Sequence, residues 1–170
     1  KTISLVNSLS PKEAKLHYCH ISSTDSFSAM KAGSTFEVAP HHLFLSYERA
    51  ENPADTHMRM NPPLREESER KSLLAAFDKI DVIASDHAPH TIAEKSAEFA
   101  SAPSGIPGVE TMLPLLMNEV HAGRLNLNAV IEKTVTNPNR ILGIESPAFV
   151  LGARADFALY AEYPVKIDAE

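Results

Sequence analysis

The hydrophobic positions of the 170-residue chain change their spacing several times, and each spacing predicts one kind of element. Apolar residues three or four apart, with charged residues on the opposite side, predict helices. Short apolar runs bounded by turn residues predict strands. The predicted helices cover residues 1–9, 22–31, 66–80, 109–121 and 127–136, and the predicted strands cover 15–21, 35–39, 81–85 and, after a turn, 152–160.

The order of these elements predicts an α/β fold. Strands alternate with helices, and two long loops cover residues 48–65 and 90–108. Alternation of this kind is typical of a parallel sheet or barrel, in which catalytic groups follow the carboxyl ends of the strands. Long loops in a compact domain are usually functional or disordered, so both loops are candidate parts of a site.

Each of the first three predicted strands ends at polar residues, and the third is the most informative. There Asp86 is followed by His-Ala-Pro-His, which places a carboxylate and an imidazole where a ligand of a barrel enzyme lies. A carboxylate beside a divalent metal can bind the ion and accept a proton from water. The simpler alternative is a turn in which Asp86 caps the following backbone.

His20 follows the first of these strands and is a second candidate metal ligand, since imidazole is the commonest zinc ligand. The alternative is a hydrogen-bonded histidine of the core. His17 lies three residues earlier, and strand alternation predicts that the two rings point to opposite faces. Only one of them is then expected to face the barrel axis.

Composition narrows the class of protein. A formal net charge of −6 argues against a nucleic-acid partner, which normally requires a basic surface. No segment approaches the roughly 18 consecutive apolar residues that span a bilayer. The first residues contain no signal-peptide pattern, and the single cysteine, Cys19, is compatible with a reducing compartment. We therefore expect a cytoplasmic protein without a nucleic-acid or membrane partner.

Several motifs together resemble the dihydroorotase family of cyclic amide hydrolases. Asp86 to His90, with Lys95 five residues further on, is similar to the family signature of Asp, any residue, Ala-Pro-His, four residues and Lys. Other stretches resemble family elements in the same order: 16–23 its sixth barrel strand, 37–43 its seventh-strand motif, 61–65 its substrate loop, 105–111 the loop after strand eight, 137–140 its closing helix and 152–159 the return strand of its small β-domain.

This resemblance implies a fold and a division of the chain. The chain would be the C-terminal part, about strands 6–8, of a TIM-like (β/α)8 barrel of a metal-dependent hydrolase. Residues 1–147 would belong to the barrel. Residues 148–170 would form the return segment to the small β-domain.

The resemblance also implies roles for single residues. Asp86 would be both a metal ligand and the catalytic proton shuttle, His20 would be a zinc ligand, and one or two zinc ions would be bound. The other residues would hold the substrate or support the site: the side chains of Asn61 and His90 and the backbone at Ser104 and Gly105 for the substrate, and His41 and His42 as supports that orient the ligands. Arg65 is expected to form a structural salt bridge, and His87 to point away from the site.

The activity that the resemblance implies is the reversible hydrolysis of dihydroorotate to N-carbamoyl-aspartate in pyrimidine synthesis. Asn61 before Pro-Pro favours it over hydantoinases and allantoinases, whose corresponding loops usually carry a different residue. Such a cyclic amidohydrolase is one alternative. Another is a non-catalytic relative that serves as a structural partner of aspartate transcarbamoylase, although the intact Asp86, His90 and Asn61 argue against it.

Several family motifs are absent from the 170 residues, including the His-x-His of the first barrel strand. Two ligands do not hold a catalytic zinc, and three strands of a barrel leave unpaired edges. We therefore expect the chain alone to be inactive and unstable as a monomer. The N-terminal barrel portion would come from another chain or be missing through truncation or lack of order. A homodimer or an aspartate transcarbamoylase complex is a further expected assembly.

Overall fold

Three short parallel strands form the centre of the computed structural model, which describes residues 2–52, 54–146 and 148–163. They are β1 (His17–Tyr18), β2 (Thr35–Val38) and β3 (Val82–Ile83), in the order β1-β2-β3. Both pairings are parallel, as expected for an α/β fold. Because β1 and β3 each pair on one side only within the described ranges, both edges of the sheet are open.

Helices and single turns connect and cover the strands. The α-helices of the described part are α1 (Thr2–Leu9), α2 (Pro40–Phe44), α3 (Glu67–Ala75), α4 (Ile92–Lys95), α5 (Val109–His121), α6 (Leu127–Ile131) and α7 (Asn137–Leu142). Turns of 3-10 helix lie at Thr24–Ala29, Tyr47–Arg49, Thr56–Met58 and Phe77–Lys79, and a π-helical turn at Glu132–Thr136 joins α6 to α7. None of these helices is long and apolar enough to cross a membrane.

One face of the sheet packs against the helices. Phe36 and Val38 of β2 are buried on this face, and they share a core cluster with Leu73 of α3 and Leu116 of α5. The opposite face carries the half-buried, polar residues of β1 and β2, among them Glu37. Parallel sheets are normally apolar on both faces, so a polar face marks the side on which a site can form.

Two buried polar side chains donate hydrogen bonds to the backbone directly before β3. The ammonium of Lys133 donates to the carbonyl oxygen of Ile80 at 2.6 Å, and the Asn137 amide donates to that of Asp81 at 2.9 Å. Both donors lie at the π-helical turn or the start of α7. They therefore hold the strand that leads directly into Asp86.

The predicted elements are largely confirmed, although the strands are shorter than predicted. The helices over 2–9 and 109–121 have the predicted bounds, whereas Lys1 lies outside the described residues. The short helices α2 and α4 were not predicted. The predicted strand over 152–160 is wrong, since the described residues there form a turn and irregular backbone. A strand needs a hydrogen-bonding neighbour, and no described strand reaches this segment. Residues 164–170 of the predicted return segment lie outside the described residues.

Candidate active site

The carboxyl ends of the three strands bring four polar side chains together. His20 follows β1, Glu37 lies within β2, His41 lies in α2 directly after β2, and Asp86 follows β3. His20 has φ of 57° and Asp86 has φ of 47°, and among the described residues they are the only non-glycine residues with positive φ. Such conformations are costly and cluster at functional sites, so the two strand ends are marked as one site.

The Asp86 carboxylate lies between two imidazoles. Its Oδ1 is 3.7 Å from Nδ1 of His20, and its Oδ2 is 3.5 Å from Nε2 of His41. Both ring nitrogens are buried and have no hydrogen-bond partner among the described residues. Buried polar atoms are nearly always paired, so two unpaired nitrogens that face one carboxylate indicate a place for a proton or a cation.

Glu37 joins a third imidazole to this group. Its Oε1 is 3.3 Å from Nδ1 of His20, and its Oε2 is 3.2 Å from Nε2 of His17. The prediction that His17 and His20 point to opposite faces is therefore wrong. His20 lies beyond the end of β1, and its positive φ breaks the alternation of the strand.

Sequence reasoning missed Glu37, although a signal was present. A carboxylate between the buried residues Phe36 and Val38 must point to the other face of the strand. Glu37 also belongs to a group that could hold a metal ion, with His17 and Cys19, whose ligand atoms lie within 4.8 Å of one another. Desolvation, followed by the neighbouring Glu37 carboxylate, raises the pKa of the Cys19 thiol.

His41 and His42 are held rigidly by α2. Pro40 begins this helix, where its missing N–H costs nothing, and both rings are buried, with their centroids 4.3 Å apart. Burial, and secondarily the neighbouring His20, lowers the pKa of His41 to about 4. Burial, and then His41, lowers the pKa of His42 to about 4. Both imidazoles are therefore neutral at pH 7.

The two rings have different neighbours. His41 faces Asp86, whereas Nε2 of His42 donates to the carbonyl oxygen of Pro62 at 3.1 Å. Pro62 follows Asn61, which is exposed. His42 thus ties the predicted substrate loop to the end of β2.

Arg65 closes this loop in a way that the sequence did not predict. Its guanidinium donates from Nε and Nη2 to the Ser22 hydroxyl at 3.1 and 3.0 Å. Within the described ranges it has no carboxylate at ion-pair distance, so the expected salt bridge is wrong. The loop is instead attached to the segment that follows His20.

The loop after β3 brings the remaining predicted residues together. Nε2 of His90 lies 3.1 Å from the carbonyl oxygen of Ser104. The N–H of Gly105 donates to the carbonyl oxygen of Arg59 at 2.9 Å, two residues before Asn61. Gly105 has φ of 119°, and a Cβ there would lie 2.5 Å from Cβ of Ala88, so the close approach requires glycine.

His87 stands apart from these groups. Its Nδ1 accepts the backbone N–H of Gly108 at 3.0 Å and that of Val109 at 3.3 Å. It therefore caps the first turn of α5, in agreement with the expectation that it points away from the site.

Comparison with known sequences identifies relatives of this chain. The chain matches no model of a known protein family. It is 45% identical to a dihydroorotase of Halobacterium salinarum over 150 residues, which cover 86% of this chain and 35% of the relative. It is 42% identical to a dihydroorotase of Archaeoglobus fulgidus over 148 residues, which cover 86% and 36%. The chain thus spans about a third of the length of these relatives.

Solved structures agree on the fold. The chain resembles a D-hydantoinase (dihydropyrimidinase) from Thermus sp. with a TM-score of 0.78 and 23% identity, over 91% of this chain and 36% of that one. It resembles a dihydroorotase from Saccharomyces cerevisiae, in complex with 5-fluoroorotic acid, with a TM-score of 0.67 and 16% identity, over 83% and 41%. The α/β fold of this chain therefore matches part of the fold of each of these larger structures, as expected.

Proposed function

Because this chain belongs to the dihydroorotase family and spans about a third of the length of its relatives, we propose that it provides half of a dihydroorotase active site. The reaction is the reversible hydrolysis of dihydroorotate to N-carbamoyl-aspartate, a step of pyrimidine synthesis in the cytoplasm. The observation that carries this proposal is the convergence of His20, His41 and Asp86 at one edge of the sheet. A carboxylate positioned in this way can accept and return a proton during the hydrolysis of a cyclic amide.

The donor atoms at this edge fit a divalent metal. The unpaired, buried nitrogen of His20 faces one oxygen each of Asp86 and Glu37, and nitrogen and carboxylate oxygen are ligands that zinc accepts. His20 and Asp86 would hold one or two zinc ions. A bound zinc would polarise the ring carbonyl of the substrate and lower the pKa of nearby water.

Asp86 would move the proton in this reaction. Its carboxylate would take a proton from the water that attacks the ring carbonyl and deliver it to the amide nitrogen as the carbon–nitrogen bond breaks. His41 is buried and uncharged. It would orient the Asp86 carboxylate through Oδ2 and would not form an ion pair with it. The positive φ of Asp86 is a costly backbone conformation, and such conformations cluster at active sites, which supports this role.

The substrate would bind between the two long loops. Asn61 would hydrogen-bond the substrate from one loop, and His90 from the other, together with the backbone at Ser104 and Gly105. His42 hydrogen-bonds the loop that carries Asn61. This contact supports a role for His42 in positioning substrate-binding groups rather than a metal. The contact of His90 with Ser104 supports a shared role for these two residues.

The rest of the barrel would come from polypeptide outside the 170 residues. The open edges of β1 and β3 support this proposal, because unpaired strand edges normally find a partner. In this arrangement residues 1–147 are barrel and 148–170 lead back to a small β-domain. The additional strands would also supply the missing metal ligands, since two ligands do not hold a catalytic zinc. A homodimer or a complex with aspartate transcarbamoylase would be built on that complete barrel.

A substrate comparison tests the proposal against a hydantoinase or allantoinase. The chain replaces the matching third of the Halobacterium salinarum dihydroorotase, to which it is 45% identical, and the hybrid is assayed with dihydroorotate, hydantoin and allantoin. We expect metal-dependent hydrolysis of dihydroorotate in preference to the other two. Preference for hydantoin or allantoin would contradict the proposed substrate. A folded hybrid that binds metal but hydrolyses none of the three would support the non-catalytic alternative.

A further inference from the structure

Lys95 is a buried charge with an unusual set of partners. It ends α4, and only 5% of its surface is exposed. Its ammonium donates to the carbonyl oxygens of Thr56 at 3.0 Å and Pro103 at 3.1 Å. Among the described residues no carboxylate lies within ion-pair distance of it. Burial of an ammonium without a carboxylate is costly, and the hydrogen bonds to the two carbonyl oxygens offset part of that cost.

The two carbonyl groups that hold Lys95 belong to different loops. Thr56 lies in the loop that carries Asn61, and Pro103 directly precedes Ser104 and Gly105. A reciprocal hydrogen bond runs from the Thr56 hydroxyl to the carbonyl oxygen of Lys95. The lysine is therefore bound to the first loop through both its side chain and its backbone.

A second link joins the same loops nearer to the site. The N–H of Gly105 donates to the carbonyl oxygen of Arg59, and the Arg59 guanidinium lies 5.2 Å from the centre of the Phe99 ring. Both residues of this stacked pair lie on the same two loops as the Lys95 contacts. The two loops are thus joined at Lys95 and Thr56 and again at Gly105 and Arg59.

We infer that Lys95 is a positioning residue that fixes the distance between the two substrate-binding loops. It does not touch His20 or Asp86, and it would act on substrate through Asn61 and Ser104. The inference rests on the proposed function for its effect on substrate, although the link between the loops stands on the contacts alone. Hydrogen bonds from a charged donor are stronger than neutral ones, which suits a link between two loops.

Two variants separate this role from general stability. Lys95→Met keeps the length of the side chain and removes its charge, and Lys71→Met removes an exposed lysine of α3 as the matched control. Should Lys95→Met not fold, Thr56→Val removes only the hydroxyl contact and keeps the ammonium in place. Lys95→Arg restores the charge and should recover part of the effect.

Amide hydrogen exchange of the purified hybrid protein is the first measurement. In Lys95→Met we expect exchange at residues 56–61 and 104–105 to accelerate together by about tenfold or more, as for loss of bonds to a charged donor. The rest of the sheet and the Lys71→Met control should keep the parent rates. Unchanged exchange in both loops, or equal acceleration throughout the chain, would overturn the inference.

Kinetics of the hybrid enzyme is the second measurement. Lys95→Met should raise KM for dihydroorotate by about tenfold, with kcat much less affected and metal content unchanged. An equal loss of metal and kcat would mean that Lys95 only stabilises the fold and would overturn the inference. If the unmodified hybrid does not hydrolyse dihydroorotate while exchange still couples the loops, the proposed function fails and the link between the loops stands.

Discussion

The close approach of the loop after β3 to the end of that strand can be tested with glycine substitutions. A Cβ at Gly105 would lie 2.5 Å from Cβ of Ala88 and would also force an alanine to adopt φ of 119°. A sparsely populated backbone conformation costs about 1–3 kcal/mol, and overpacking costs about 1–3 kcal/mol. We therefore expect Gly105→Ala to lower the free energy of unfolding by about 2–6 kcal/mol.

Two other glycines separate the contribution of backbone strain from that of the steric clash. Gly33 has φ of 77° with no atom within 4 Å of an added Cβ, so Gly33→Ala introduces backbone strain alone, about 1–2 kcal/mol. Gly108 has a negative φ, but a Cβ there would lie 2.2 Å from the carbonyl oxygen of Ser85. Gly108→Ala thus introduces the steric clash alone, about 1–3 kcal/mol.

Urea-induced unfolding of the hybrid protein carrying each of the three substitutions, under the same conditions, is the assay. The order of destabilisation should be Gly105→Ala first, with each of the other two smaller, and with the slope against urea concentration unchanged. If Gly105→Ala destabilises no more than Gly33→Ala, the contact with Ala88 carries no energy, and the reasoning about the close approach is refuted.

The other predictions concern stability. Leu73 is fully buried in the core, so Leu73→Ala should lower the free energy of unfolding by about 2–5 kcal/mol, whereas Leu5→Ala at an exposed position should have little effect; equal effects would contradict the assigned core. The Arg70 side chain lowers the pKa of Glu67 to about 2, from an ordinary value of 4.5. A lowered carboxyl pKa stabilises the fold above pH 4.5, and that contribution disappears as the pH falls through 2. Glu67→Gln should therefore remove stability at neutral pH and flatten the pH dependence of unfolding between those values, and an unchanged acid profile would count against the Glu67–Arg70 pair.

Sequence patterns predicted the helices better than the strands. The bounds of α5 follow from Gly108 before it, Gly123 after it and an apolar stripe between them, all of which are local signals. The strands were predicted several residues too long, because an apolar run shows burial and not hydrogen bonding. Residues 152–160 have a strand-like pattern, yet a strand depends on a neighbour, and none of the described residues provides one there.

The candidate site was predicted in outline. Local motifs indicated His20 and Asp86, since both follow apolar runs at strand ends. The shared contact of His17 and His20 with Glu37 depends on the positive φ of His20, and no pattern of apolar residues reports that angle. The buried Lys95 was visible only as part of a motif, because its two carbonyl partners lie 39 and 8 residues away along the chain.

The central claim is that Asp86 carries the proton in the hydrolysis of dihydroorotate. It is tested most directly by the kcat of the hybrid enzyme with Asp86→Asn, beside Asp78→Asn as a control at an exposed aspartate. We expect Asp86→Asn to lower kcat by about a hundred- to ten-thousandfold, while Asp78→Asn retains the parent value. A kcat of Asp86→Asn within a few-fold of the parent, in a protein that is folded and loaded with metal, would contradict it.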